Sequence, residues 1–76
     1  MRLSPGQGVN WHSTGRREEV VLAVRGTLWL EYEQHAHRVR SLTLSAGECV
    51  FLSQAVRHRV INRSGRTTHY LYLTAG

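Results

Sequence analysis

Lysine and aspartate are both absent from this sequence of 76 residues, and cysteine, proline and methionine each occur once. Without lysine the chain cannot use a lysine Schiff base, and without aspartate it cannot build an EF-hand calcium loop. A single cysteine excludes an internal disulfide, a zinc ribbon and a thioredoxin-type site. We therefore expect Cys49 to be a small buried apolar side chain.

Long apolar runs are also absent. No segment approaches the ~20 apolar residues of a membrane helix, and the first ten residues lack the apolar core of a signal peptide. We expect a cytoplasmic protein without a membrane partner.

The ten basic residues are all arginine and the five acidic residues are all glutamate, which gives a net charge of +5. Such a balance is compatible with nucleic-acid binding. However, the arginines are dispersed and are not interleaved with aromatic residues, as they are in single-strand binders. We interpret them as a solvated surface and expect no nucleic-acid partner.

Most of the chain alternates apolar and polar residues with period two, and glycine or polar turn residues separate the segments. After a short opening stretch, the pattern predicts strands over residues 8–12, 18–24, 27–33, 37–44, 49–52, 56–62 and 67–74. About eight short strands in a single domain, 1–76, are typical of an all-β sandwich or barrel.

The strand over residues 18–24 is apolar on both faces. Val21 and Ala23 lie on one face, and Val20, Leu22 and Val24 lie on the other. A second apolar face needs a cover, either another strand layer of the same chain or a second subunit. Because so few residues remain for another layer, we expect a homodimer.

Five histidines are present, and their positions in the strands differ. In the segment AVRHRVIN, His58 shares one strand face with two valines, whereas Arg57 and Arg59 share the opposite face. We therefore expect His58 to point into the interior. His35 and His37 fall at the tip of a predicted hairpin, where we expect them to be exposed.

Two spaced motifs in residues 8–62 resemble those of the cupin superfamily. The first family motif reads G-x5-H-x-H-x(3 or 4)-E-x6-G, and Glu19 followed by Gly26 reproduces its end. Counting back from Glu19 places the two motif histidines at His12 and Thr14, so that the second is replaced. The leading glycine matches Gly6.

The second family motif reads G-x5-P-x-G-x2-H-x3-N, and the segment GECVFLSQAVRHRVIN keeps every spacing. Gly47, His58 and Asn62 match, while Ser53 and Ala55 stand for the proline and the second glycine. The resemblance implies a small jelly-roll β-barrel. It also implies a metal site at His12, Glu19 and His58.

Glu19 shares the strand face of Val21 and Ala23, and a carboxylate buried there needs a cation, a hydrogen-bond partner or a proton. Two imidazoles and one carboxylate suit a divalent transition metal ion (Fe, Mn, Ni, Cu or Zn), and such a set leaves coordination positions open. Typical metal-binding cupins use three histidines and one glutamate, so Thr14 removes one ligand. The alternative is a barrel that keeps the motif geometry for folding without a metal.

The resemblance implies a metal-binding cupin that acts on a small molecule by metal-assisted chemistry, like a dioxygenase or an isomerase. Glu19 would then alternate between ligand and general base. The alternative function is a metal-free barrel that serves as a small-ligand-binding or dimerisation module. Whether the chain is an enzyme stays open at this point.

Several further residues have an expected place. Gln54 is interpreted as a surface turn residue, or else one at the barrel mouth, and Asn62 as a turn former. In the last strand either His69 or Tyr70 faces inward, and parity alone does not decide which; an inward His69 would replace the missing ligand. Core or dimer packing is expected for the large aromatic residues, which are Trp11, Trp29, Tyr70 and Tyr72.

Overall fold

Eight strands and one short 3-10 turn make up the computed structural model, which describes residues 1–76. The strands are β1 (Arg2–Leu3), β2 (Gly8–Ser13), β3 (Glu18–Arg25), β4 (Thr27–Gln34), β5 (Arg38–Ser45), β6 (Cys49–Leu52), β7 (Arg57–Ile61) and β8 (Thr68–Ala75). The seven predicted strands are confirmed to within one residue at each end, and β1 lies in the opening stretch. No helix is long and apolar enough to cross a lipid bilayer.

The strands form two antiparallel sheets of four, which pack face to face. One sheet has the order β1-β8-β3-β6 and the other has the order β2-β7-β4-β5. Only β4 and β5 are consecutive strands that pair with each other, and they form a hairpin. Every other pair joins strands that are distant in the chain. This double-sheet arrangement is a jelly roll, and it confirms the predicted all-β fold.

A small apolar core lies between the two sheets. Alternation along each strand sends one set of side chains inward, as the sequence pattern predicted. The core residues are Leu3, Val21, Ala23, Leu28, Leu30, Leu44, Leu52, Val60 and Tyr70. Because β3 and β7 lie in the middle of their sheets, their inward side chains meet at the centre of the molecule.

Two turns place these central strands. Gly26 joins β3 to β4 with a φ of +80°, and a Cβ there would lie 3.0 Å from the Thr68 hydroxyl oxygen. Asn62 follows β7 and is completely buried, although the sequence predicted only a turn former. Its Nδ2 donates to the carbonyl oxygens of Leu3, at 2.9 Å, and Arg66, at 2.6 Å, so it ties β1 to the turn between β7 and β8.

The HAH segment forms the 3-10 turn His35–His37 between β4 and β5, and none of its residues is buried. The predicted exposure of His35 and His37 is therefore confirmed.

The prediction that Cys49 is buried is wrong. Cys49 is exposed because Val50 and Leu52 take the inward positions of β6, which leaves Cys49 and Phe51 on the outer face.

Trp11 and Trp29 lie outside the buried core. Core packing was one of the two roles expected for the large aromatic residues, and it does not apply to these two.

Both indoles instead lie under arginine side chains. The Arg59 guanidinium carbon is 5.2 Å from the ring centre of Trp11, and that of Arg63 is 4.5 Å from the ring centre of Trp29. Part of the arginine surface therefore covers aromatic rings and is not merely solvated.

Candidate metal centre

His58 lies on β7 and points into the space between the sheets. Only 1% of the residue is exposed, as the alternation of the strand predicted. Its Nδ1 lies 3.1 Å from the carbonyl oxygen of Val56, two residues earlier in the chain. Its Nε2 lies 2.9 Å from Oε2 of Glu19.

Glu19 reaches this contact from the opposite sheet. It is the second residue of β3, it shares the inward face with Val21 and Ala23, and 8% of it is exposed. The carboxylate and the imidazole therefore join the two layers of the jelly roll at one point.

Counting donors and acceptors shows what this pair requires. A carbonyl oxygen and a carboxylate oxygen both accept hydrogen bonds, and they face the two ring nitrogens of His58. A neutral imidazole carries only one N–H, so it satisfies only one of these acceptors. An additional proton or a metal cation between Nε2 and Glu19 removes the mismatch.

His12 approaches from β2, which pairs with β7 so that His12 lies opposite His58. The two ring centres are 4.2 Å apart. His12 is exposed, so it stands at the open rim of the site and not in the interior. Its Nδ1 lies 2.9 Å from the carbonyl oxygen of Asn10, which orients the ring and leaves Nε2 free to bind a ligand.

The candidate ligand atoms of His12, Glu19 and His58 all lie within 4.8 Å of one another. Metal bonds to imidazole nitrogen and carboxylate oxygen are about 2.1 Å long, so neighbouring ligands of one ion are about 3 Å apart. The His58 to Glu19 separation of 2.9 Å already has this value. Only the exposed His12 ring needs to move inward, so the residues present fit a metal ion.

A cavity of about 240 Å³ opens beside these three side chains. Its other six lining residues are apolar or aromatic: Met1, Val9, Val21, Val60, Tyr70 and Tyr72. None of the ten arginines lines it, so the protein supplies no cationic side chain there apart from the histidines.

The structure also decides which face of β8 is inward. Tyr70 is 4% exposed and lines the cavity, whereas His69 lies on the other face and does not replace the missing ligand. Burial raises the pKa of the Tyr70 phenol above its ordinary value of 10.0, and the charges of Tyr72 and Glu19 raise it further. Nothing in the sequence distinguished Tyr70 from His69 as a site residue.

Thr14, at the position of the second motif histidine, is buried but does not line the cavity. Its hydroxyl donates to the carbonyl oxygen of Ser53 at 2.8 Å and accepts from the amide of Val56 at 3.0 Å. Thr14 therefore secures the turn before β7. Gln54, in the same turn, is exposed and donates to the carbonyl oxygen of Arg16, which agrees with a surface turn residue.

The sequence matches one known protein family. The family model of the cupin domain matches residues 1–74. No curated protein sequence matches the chain.

Comparison with solved structures gives several similar folds. Drosophila melanogaster CENP-C bound to CAL1 superposes with a TM-score of 0.92 at 14% identity, over 99% of this chain and 58% of that one. TT1209 from Thermus thermophilus has a TM-score of 0.85 at 24% identity, over 97% and 66%. Recombinant oxalate oxidase in complex with glycolate has a TM-score of 0.85 at 18% identity, over 96% and 37%.

These identities are low enough that the similarity concerns the fold alone. The chain spans between about a third and two thirds of the length of these three structures.

Proposed function

This chain belongs to the cupin domain family, and from that membership we propose that it binds one divalent transition metal ion through His12, Glu19 and His58. The adjoining cavity then binds a small molecule, on which the protein performs metal-assisted chemistry.

One observation carries the proposal: the two nitrogens of the buried His58 ring both face oxygen acceptors. When the ring proton is on Nδ1, it satisfies the Val56 carbonyl oxygen and leaves the Nε2 lone pair available to a metal ion. Nε2 and Oε2 of Glu19 are 2.9 Å apart, a separation that a proton bridges in the metal-free protein and that also suits two ligands of one metal ion. His12 supplies a third ligand atom within reach of the same point.

The donor set of two imidazoles and one carboxylate suits Fe, Mn, Ni, Cu or Zn. Such an ion, when bound, supplies Lewis acidity and, if it is redox-active, the means to activate dioxygen. The chain contributes the environment: valine side chains line the cavity, and the Asn10 and Val56 carbonyls orient the two imidazoles.

The structural neighbours are compatible with either use of the fold. Oxalate oxidase with glycolate shows a similar barrel in complex with a small oxygen-rich molecule. CENP-C bound to CAL1 shows a similar barrel that engages a protein. We favour the first use for this chain because the candidate ligands adjoin a cavity of small-molecule size.

The test is metal analysis by mass spectrometry after growth with a mixture of transition metals, followed by zinc titration of the chelator-treated protein. We expect about one ion per chain in the wild type and loss of that ion in His58→Ala and Glu19→Gln. His35→Ala and Glu18→Gln are matched controls, because they remove an exposed histidine and an exposed glutamate that lie outside the cluster.

Equal metal content in all five proteins, or none in the wild type, would overturn the metal proposal. It would favour the alternative of a metal-free barrel that binds a ligand or a partner.

We further propose that the protein is a homodimer that uses the outer face of the β1-β8-β3-β6 sheet. Seven side chains on three neighbouring strands form this outer apolar face: Val20, Leu22, Val24, Cys49, Phe51, Leu71 and Leu73. The pairing register sets them in adjacent rows. One row contains Phe51, Val20 and Leu73, and the next contains Cys49, Leu22 and Leu71.

The size of the outer apolar face suits an interface with a second copy of the chain. The molecule measures 32 × 24 × 17 Å, and the two stacked sheets account for the thin dimension. A sheet face within the two longer dimensions is large enough to hold the roughly 800 Å² that each partner contributes to a standard interface. Neither row carries a charge, so two copies meet without burying an unpaired ion.

Sedimentation velocity of Leu73→Arg tests the dimer. We expect the wild type to sediment as a dimer and this variant as a monomer, because an arginine within an apolar interface is costly to desolvate. Val39→Arg is the control: Val39 is an exposed valine on the other sheet, and its variant should remain dimeric. A monomeric wild type at all concentrations would overturn the dimer.

A further inference from the structure

Tyr70 carries a hydroxyl group that no protein atom satisfies. The residue is 4% exposed, and its main chain is fixed on both sides by hydrogen bonds with Met1, at 2.8 and 2.9 Å. Trp29 Nε1 is the only fully buried side-chain polar atom without a partner. The Tyr70 hydroxyl, which also has none, therefore keeps contact with open space, and the open space beside Tyr70 is the cavity.

The remaining cavity wall has little polarity. Apart from the three candidate ligands, four of its residues are aliphatic or methionine and two are tyrosines. No arginine reaches it, in a chain with ten arginines, and the Met1 ammonium already donates to the Tyr70 carbonyl oxygen. A phosphate or a second carboxylate on a ligand would therefore lie against valine without a free counter-ion, which is unfavourable.

The size of the cavity limits the ligand further. A dry protein cavity of about 150 Å³ holds a benzene molecule. This cavity, at about 240 Å³, holds a ring with one short substituent.

We propose that the cavity takes a small, mostly apolar molecule of about the size of a monosubstituted benzene, with a neutral oxygen acceptor that receives a hydrogen bond from the Tyr70 hydroxyl. When no metal is bound, phosphorylated and multiply anionic molecules are disfavoured, because the cavity wall offers no free counter-ion. The inference deepens the proposed function in that it names the ligand class of the same site, but Tyr70 and the apolar wall act whether or not a metal is bound.

A hydroxyl donor in an apolar cavity favours ligands that carry an acceptor. A ligand without an acceptor leaves the donor unpaired after water has been displaced, so the fit of the apolar body alone does not suffice. Tyr70 is a positioning residue in this role.

Three probes of similar shape separate the parts of the proposal. Acetophenone has a ring and a neutral oxygen acceptor, ethylbenzene has the ring without the acceptor, and phenyl phosphate has the ring with a dianion. Binding is measured by NMR titration of the full chain, once with a chelator and once with zinc.

With chelator present, we expect acetophenone to bind the wild type more tightly than ethylbenzene, and phenyl phosphate not to bind. Tyr70→Phe should weaken acetophenone binding about fivefold, the value of one neutral hydrogen bond, and should tighten ethylbenzene binding, because no donor is then left unpaired. Tyr32→Phe is the control, because Tyr32 is a half-buried tyrosine that does not line this cavity.

The proposal is overturned if Tyr70→Phe changes acetophenone and ethylbenzene binding equally, if no probe binds, or if phenyl phosphate binds the chelator-treated protein as well as acetophenone does. Failure of the metal proposal is distinguishable, since it is a loss of zinc binding and leaves the chelator experiment intact. A folded amide spectrum of each variant confirms that the fold is retained.

Discussion

His58 and Glu19 join the two sheets of the jelly roll through a contact of 2.9 Å between Nε2 and Oε2. The side chains are 2% and 9% exposed, so the contact is nearly free of water. Removing one partner leaves a polar group buried without compensation.

In the presence of a chelator, we therefore expect Glu19→Leu to lower the free energy of unfolding by about 3 kcal/mol, the lower end for a broken buried pair. The double variant Glu19→Leu with His58→Phe should lose less than the single variant, because both polar groups are then gone. Urea unfolding measures both. Simple additivity of the two single substitutions would contradict the coupling.

Asn62 should contribute more to the stability of the protein than a turn residue usually does. Asn62→Ala removes the donor to the Leu3 carbonyl and the acceptor of the Ser64 amide, in a residue with no exposure. We expect a loss of about 2–3 kcal/mol in urea unfolding. Asn10→Ala, an exposed residue whose side chain makes no hydrogen bond, should change stability by about 0.5 kcal/mol or less. Similar losses for both would show that the buried bonds of Asn62 contribute little.

Restoring the second motif histidine should not improve metal binding. Thr14→His breaks the two hydrogen bonds that hold the turn before β7, and position 14 does not line the cavity. We expect lower stability and no tighter zinc binding. Thr14→Val, which removes only the hydroxyl, should cost about 1–2 kcal/mol. A Thr14→His protein of wild-type stability that binds zinc more tightly would refute this account.

Ionisation of the Tyr70 phenol should lower the stability of the protein at alkaline pH. Because burial raises the pKa of its phenol in the folded state, the unfolded chain loses the proton first, at its ordinary value of 10.0. The contribution of the neutral Tyr70 phenol to the free energy of unfolding is complete below pH 10.0, and it is lost as the pH rises through the higher pKa of the folded state. Melting temperatures across this range should fall more steeply for the wild type and for Tyr32→Phe than for Tyr70→Phe. Parallel curves would exclude the effect.

Cys49 offers an independent report on the dimer. It is an exposed thiol in the outer apolar face, so a second copy seated there covers it. A thiol-specific maleimide should label the Leu73→Arg variant quickly and the wild type slowly, in proportion to the fraction of monomer. Val39→Arg should label as slowly as the wild type. Equal labelling rates in all three proteins would place the interface elsewhere.

The strands and two of the three candidate ligands were predictable from the sequence because a strand alternates its side chains strictly. Alternation placed His58, Glu19 and Val21 inward, and it marked Val20 and Leu22 as a second apolar face. The motif spacing added His12 and the jelly roll itself.

Only the tertiary structure decided what depends on pairing between distant strands. Parity admits both faces of β8, and pairing with β3 places Tyr70 opposite Ala23, with its ring at the cavity. The same holds for Cys49, whose exposure follows from the side of β6 that the second sheet covers. His12 reaches the site because the register of β2 shifts between Val9 and His12, whereas strict alternation from Val9 would place His12 on the opposite face. Local periodicity determines which residues share a face, whereas long-range pairing determines which face is buried.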